Sequence, residues 1–294
     1  GIARELDFDL LLTGHQHMPV ESVRIGGTFA VQPPANAGRY LQVEAAVRDG
    51  GAEFSARLLP VGGIHREQPY RRLLPLEQAV QRWLDEPVGH LEQAIPPEEK
   101  LRAALHGSAV AALFNQVQLS HTGADISCTS LGNEPAGLAA SVTMRAITAA
   151  YLFSNTLVVL EITEEILRAL LERCASYFTL ENGMPRVSDA FLAPKVEHYN
   201  YDFFAGISYQ FDLRQPVGRR LTRLSRLDGT PLGPGPLRLC TSNYRATGTG
   251  GYDALRTCPV LWRGSVEMPE LVAEYVRANS PVSLPCNGRM EAIW

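Results

Sequence analysis

Residues 151–177 read YLFSNTLVVLEITEEILRALLERCASY, and this stretch decides the fold class. Thr156 to Ile162 is a continuous apolar run of strand length, and from Thr163 to Tyr177 the pattern switches to a Glu-rich segment with helical spacing. Working outward, Leu101, Leu105, Ala109, Ala112, Leu113 and Val117 recur at helical intervals, predicting one helix from Glu98 to Ser120. Ala124 to Ser127 then reads as a buried strand, Val142 to Tyr151 as helical, and Ile207–Leu213 and Leu237–Thr241 as strands. Alternating helices and strands imply a mixed α/β (α+β) layer fold.

The first sixty residues have a different texture. Asp9 to Thr13 is a short apolar run that enters Gly14-His15-Gln16-His17, and TFAVQ follows Gly26-Gly27. Two alternating runs on either side of Asp49-Gly50-Gly51 predict a β-hairpin. Five prolines between Pro69 and Pro97 mark a linker with one helix near Leu76 to Leu84. The predicted organisation is a β-rich segment over 1–65, a partly helical linker over 66–97 and a second domain over 98–294.

Composition narrows the partners. The chain has 294 residues, 45% hydrophobic and 20% charged, with a formal net charge of −4. That balance is ordinary for a globular protein and argues against a nucleic-acid polymer as ligand, which would favour a basic face. No apolar run reaches the roughly 18 residues of a membrane span. Five cysteines without a Cys-x-x-Cys pair suggest neither a zinc knuckle nor a dense disulfide framework. Gly1 begins no signal peptide and is expected to lie inside a domain.

Two short motifs place an aromatic beside a polar amide: Phe153-Ser154-Asn155 and Asn243-Tyr244-Arg245. A nucleobase held between two ring faces gains about 1–3 kcal/mol per stacked base. Isolated aromatics are as readily core residues, but these flanks suit a ligand-facing loop. Arg245 has two open readings, a phosphate contact or an acidic partner. Gly248-x-Gly250-Gly251 is either a flexible turn or a place where ligand approaches bare backbone. Tyr201, Phe203 and Phe204 extend a pocket or pack a sheet, and Glu164 and Glu165 suit a helix N-terminus. His15 and His17 could face a shared metal pair, though short motifs of this kind are weak.

The ordered set is more specific than its members. Gly123-Ala124-Asp125-Ile126, Tyr151 to Leu157, Tyr199-Asn200-Tyr201-Asp202-Phe203-Phe204-Ala205-Gly206-Ile207-Ser208-Tyr209 and Asn243-Tyr244-Arg245 leading to Gly250-Gly251-Tyr252 resemble the C-terminal domain of the 5′-nucleotidase and 2′,3′-cyclic-nucleotide phosphodiesterase family. Gly14-His15-Gln16-His17 resembles the last metal-ligand motif of that family's calcineurin-like metallophosphatase domain. The resemblance implies a metal-dependent phosphoesterase acting on nucleotides. Two divalent ions, zinc, manganese or similar, would be shared in the intact enzyme, with His15 and His17 among their ligands. Phe153 and Tyr244 would clamp the base, with Asn155, Asn243, Arg245 and Gly250 as further binding residues. It also implies a periplasmic, cell-wall or secreted location.

The family's earlier ligand motifs are not among these residues, so this chain is expected neither to retain the metal pair nor to turn over substrate alone. A non-catalytic nucleoside-binding module is the alternative. Ser130-Leu131-Gly132-Asn133-Glu134-Pro135 stands where the 5′ branch has a Gly-Gly-Gly-Ile-Arg loop, and Gly250 stands where that branch has an aspartate. The loop departure, together with Asn200-Tyr201-Asp202 and Asn243-Tyr244-Arg245, resembles the cyclic phosphodiesterase/3′-nucleotidase branch.

Overall fold

The computed structural model describes residues 2–6, 8–63, 67–284 and 286–294. It divides into two compact units, 1–75 and 76–294. The expected boundary at 65–66 falls outside the described residues.

The first unit contains α1 (Ile2–Glu5), β1 (Leu10–Leu12), β2 (Val20–Ile25), β3 (Thr28–Gln32), β4 (Arg39–Arg48) and β5 (Gly51–Pro60). β3 is buried along its length and is central in its sheet, pairing parallel with β1 and antiparallel with β2. β4 and β5 form the hairpin that the alternation predicts, closed at Asp49-Gly50. Phe29 of β3 stacks on Phe54 of β5 at 5.9 Å.

Helix α2 (Glu67–Asp85) carries Pro75 inside it, at the division between the units. Proline offers no N–H to the helical ladder there.

The second unit runs β6 (Pro87–His90), α3 (Lys100–His106), α4 (Ala109–Thr122), β7 (Ile126–Ser130), β8 (Ser141–Thr143), α5 (Met144–Ala150), β9 (Thr156–Ile162), α6 (Glu164–Ala175), β10 (Phe178–Glu181) and β11 (Met184–Val187). It continues with β12 (Asp202–Ala205), β13 (Ile207–Asp212), β14 (Leu221–Arg226), β15 (Leu237–Ser242), α7 (Asn243–Ala246), β16 (Val260–Glu267), α8 (Met268–Asn279) and β17 (Arg289–Ile293). The fold is mixed α/β. Its central sheet has the order β12-β7-β15-β9-β16, in which only β7 and β15 are parallel. A second sheet, β14-β13-β17, is also mixed.

β12 leads into β13, and so from one sheet to the other, through Gly206. Its φ is +87°, and any side chain there would collide with the Asp125 carbonyl. Helix α4 packs on β7, β12 and β15.

The long helix predicted over Glu98–Ser120 is two helices. Gly107 adopts a φ of +89°, and Ser108 begins α4 by accepting the Ala111 N–H. Thr143 and Thr163 cap α5 and α6 in the same way, each cap typically contributing about 1 kcal/mol. The second unit also takes in residues that the sequence assigns to the linker. Val88, Leu91 and Ile95 are buried in its core, and β6 pairs with β8. Prolines are compatible with that placement because β6 is a short edge element.

Candidate functional site

Strand register brings four loops to one end of the central sheet. Ser242, the last residue of β15, stands opposite Leu157 at the start of β9. Asp202, the first residue of β12, stands opposite Ser130, the last of β7. The segments following β7 and β15 and those preceding β9 and β12 therefore emerge together, at the carboxyl ends of the parallel pair. Such ends are where open α/β sheets place ligands.

Ser242 caps the single-turn helix α7 by accepting the Arg245 N–H at 3.1 Å. Within that turn the side chains diverge: Tyr244 is 41% exposed, whereas Arg245 is 2% exposed. Arg245 donates to Asp202 through Nε and Nη2, each at 2.8 Å, and Nη2 also reaches the Tyr199 carbonyl at 2.9 Å. Nη1 donates to the Thr249 carbonyl at 2.6 Å, and the guanidinium lies 4.1 Å from the Tyr252 ring centre. Burial is the largest single influence and opposes the charge, but Asp202 together with Tyr252 and Cys128 holds the Arg245 pKa above its ordinary value. Of the two readings open for Arg245, the geometry takes the acidic partner. Its donors are turned into the scaffold.

Gly250 answers to the same arginine. With a φ of +81°, it sits so that a Cβ would strike Asn200 Oδ1 and Arg245 Nη1. Its carbonyl accepts from Arg173 Nε at 2.9 Å. The missing side chain therefore makes room for the arginine network beneath the loop.

Phe153 is half-buried and packs edge-to-face on Tyr151 at 6.2 Å and on Tyr199 at 6.4 Å. Asn155 donates to the Tyr151 hydroxyl at 3.3 Å, and its carbonyl accepts the Met268 N–H at 2.9 Å. Asn243 Oδ1 accepts the Thr156 N–H at 3.3 Å. Both amides thus have bonds that fix the loops carrying the aromatics.

Tyr199 is the residue that sequence reasoning missed. Its hydroxyl donates to Glu197 at 3.1 Å, and Lys195 Nζ stands 5.7 Å from its ring centre. Burial, followed by the charge of Glu197, pushes its pKa up to about 12, with a further contribution from the nearby Tyr244. Tyr199 belongs to a motif quoted above, but no spacing distinguishes a site tyrosine from its neighbours. Tyr201 and Phe203, by contrast, are buried and pack against each other at 5.0 Å. They belong to the core.

The segment after β7 closes the same end. Lys100 donates to the Leu131 carbonyl at 3.0 Å, Gly132 lies against Leu152, and Asn133 donates to the Val196 carbonyl at 2.9 Å.

His15 and His17 lie in the first unit, both exposed, on the turn after β1. Their φ values are +72° and +60°. No group of three or more His, Cys, Asp or Glu side chains suited to a metal is present among the described residues. Two imidazoles are fewer than the three or four donors of a stable divalent site, so this chain's residues fit only part of such a centre. No described helix is long and apolar enough to cross a membrane.

Comparison with known proteins places the chain in a family. The chain is 27% identical over 139 residues to the trifunctional nucleotide phosphoesterase protein YfkN of Bacillus subtilis, covering 43% of this chain and 9% of that protein. It is 22% identical over 258 residues to a 2′,3′-cyclic-nucleotide 2′-phosphodiesterase/3′-nucleotidase of Haemophilus influenzae, covering 76% of this chain and 38% of the other. The chain thus spans well under half the length of either relative. A Staphylococcus aureus structure described as a 5′-nucleotidase in complex with alpha-ketoglutarate superposes with a TM-score of 0.84 at 28% identity, covering 97% of this chain and 56% of that one. The profile described as 5′-nucleotidase, C-terminal domain matches residues 87–257, more than half of the sequence. The chain belongs to the 5′-nucleotidase C-terminal domain family, whose relatives include nucleotide-hydrolysing phosphoesterases.

Proposed function

We propose that this chain is the nucleotide-recognition part of a metal-dependent phosphoesterase that hydrolyses nucleotides or 2′,3′-cyclic nucleotides. The base stands between Tyr244 and Tyr199, and Phe153 packs edge-to-face on Tyr199. The Phe153–Tyr244 clamp that the family resemblance implies is the alternative pairing. The observation that carries it is the shared anchor: Arg245, adjacent to Tyr244, bonds the carbonyl of Tyr199 at 2.9 Å and so ties the two loops. Phe153 already has both neighbouring rings against it.

Aromatic faces in this arrangement exclude water and accept any base, each contributing about 1–3 kcal/mol. His15 and His17 would supply two of the ligands to a divalent pair, which polarises phosphoryl oxygens and activates water when bound. The remaining donors would come from outside this chain. A secreted or periplasmic location belongs to the same proposal, supported by a family resemblance.

Calorimetry with adenosine tests the recognition. Tyr199→Ala and Tyr244→Ala should each lose about 1–3 kcal/mol, roughly five- to more than a hundredfold in affinity. Phe153→Ala should lose less, because its effect passes through Tyr199. Unchanged binding in the Tyr199/Tyr244 double variant would overturn the reading.

A further inference from the structure

Lys100 is the first residue of α3 and is only 7% exposed. A lysine is rarely buried unless its ammonium has partners. Here Nζ donates to the carbonyl of Leu131, itself 1% exposed, at the point where the chain leaves β7.

The next two residues connect the loops of the candidate site. Gly132 is pressed against Leu152, the neighbour of Phe153; a Cβ on Gly132 would stand 3.2 Å from Leu152 Cδ1. Asn133 bonds the Val196 carbonyl, three residues before Tyr199. The 131–133 segment is therefore a short bridge between the loop carrying Phe153 and the loop carrying Tyr199, attached from below by one buried amine.

We infer that Lys100 is a positioning residue for the nucleotide site: by holding the Leu131 carbonyl it fixes the 131–133 bridge, which sets the placement of Tyr199 and Phe153. The inference rests on the proposed nucleotide reading for its ligand, but the bridge itself is testable without one. The groups around the amine are Glu98 and Glu99 beside it in sequence, Asp202 on β12 and His198 before it. Glu99 is engaged in capping α3, and His198 Nδ1 pairs with the Tyr177 hydroxyl at 2.7 Å. Neither of those bonds supplies an attachment for Leu131.

The test compares Lys100→Met and Lys100→Arg with the wild type by amide hydrogen exchange of the 131–134 segment, thermal melting and adenosine calorimetry. The methionine variant should exchange at least tenfold faster across 131–134, bind adenosine about tenfold more weakly, and melt no lower than the wild type at pH 7. The arginine variant, which keeps a donor, should recover most of the protection. A purely structural role predicts instead that exchange rises throughout the second unit and melting falls, and that result overturns the inference. Unchanged exchange at 131–134 in Lys100→Met also overturns it. If the wild type fails to bind adenosine, the nucleotide reading fails, and the exchange measurement still decides the role of Lys100.

Discussion

Arg245 and Asp202 face each other through two hydrogen bonds of 2.8 Å, with both side chains 2% exposed, so the arginine of the Asn-Tyr-Arg motif is a buried strut. Removing one member strands the other as an uncompensated charge. Arg245→Ala or Asp202→Ala should therefore destabilise the second unit by about 3–5 kcal/mol. Denaturant unfolding measures this directly. A variant that loses nucleotide affinity at wild-type stability would instead place Arg245 on the ligand.

Gly250→Asp restores the residue that the 5′ branch carries at this position, and should not be neutral. The backbone is in the left-handed region and the space is filled by Asn200 and Arg245. Positive φ alone costs a non-glycine residue roughly 1 kcal/mol or more. The expected outcome is a lower melting temperature without gain of 5′-nucleotide affinity, checked by calorimetry and a thermal scan on one preparation.

Lys100 gives stability a pH dependence of definite sign. Burial lowers its pKa from 10.5 to about 7, against the opposing effects of Asp202 and Glu98. Between those values the unfolded chain binds the proton and the folded chain does not, so stability rises with pH. The slope is at most about 1.4 kcal/mol per pH unit. Burial pushes the Cys128, Cys174 and Cys240 thiols up from 9.0, which works in the opposite direction above about pH 9. Urea unfolding from pH 7 to 9 should show the rise in the wild type and its loss in Lys100→Met.

Phosphate position follows from the loop after β7. Ser130 to Pro135 carries no arginine, and a charge-assisted contact of that kind is typically worth about 1.5–3 kcal/mol. On the proposed function, a phosphoesterase that uses this domain should therefore prefer 2′,3′-cyclic or 3′-phosphorylated nucleosides to 5′-monophosphates. Comparing kcat/KM for 2′,3′-cyclic AMP, 3′-AMP and 5′-AMP under one metal condition decides it, and a clear preference for 5′-AMP would refute the assignment.

This chain by itself should bind a nucleoside without hydrolysing a phosphate ester, because His15 and His17 supply too few donors to hold a divalent pair. Manganese- or zinc-dependent turnover of 2′,3′-cyclic AMP by the purified chain, abolished by His15→Ala, would contradict this.

The sequence carried the layer architecture well, because Thr156–Ile162 and the segment after Thr163 obey different periods over enough residues to be distinguished. It hid the break at Gly107-Ser108, since Leu101 to Val117 keep a helical spacing straight through it. The β6 segment read as linker because prolines surround it, although Val88 and Leu91 enter the core. At the site, the polar flanks of Tyr244 were legible in the sequence, and the structure leaves its ring 41% exposed on the one-turn helix α7. Whether Arg245 pointed outward depended on Asp202, 43 residues away, which no local pattern reports. Tyr199, Tyr201 and Phe203 alternate along one short stretch, and only their burial separates the half-buried ring from the packed ones.

The one-turn helix α7 assigns opposite duties to consecutive side chains, Tyr244 to solvent and Arg245 to the interior. On the proposed function, recognition falls to one residue and fold maintenance to the next. On that reading position 244 should accept exchange among tyrosine, phenylalanine, tryptophan and histidine, while position 245 should not. A library varied only at 244 would sample ligand preference over an unaltered scaffold, which makes this turn the natural place to re-target the domain.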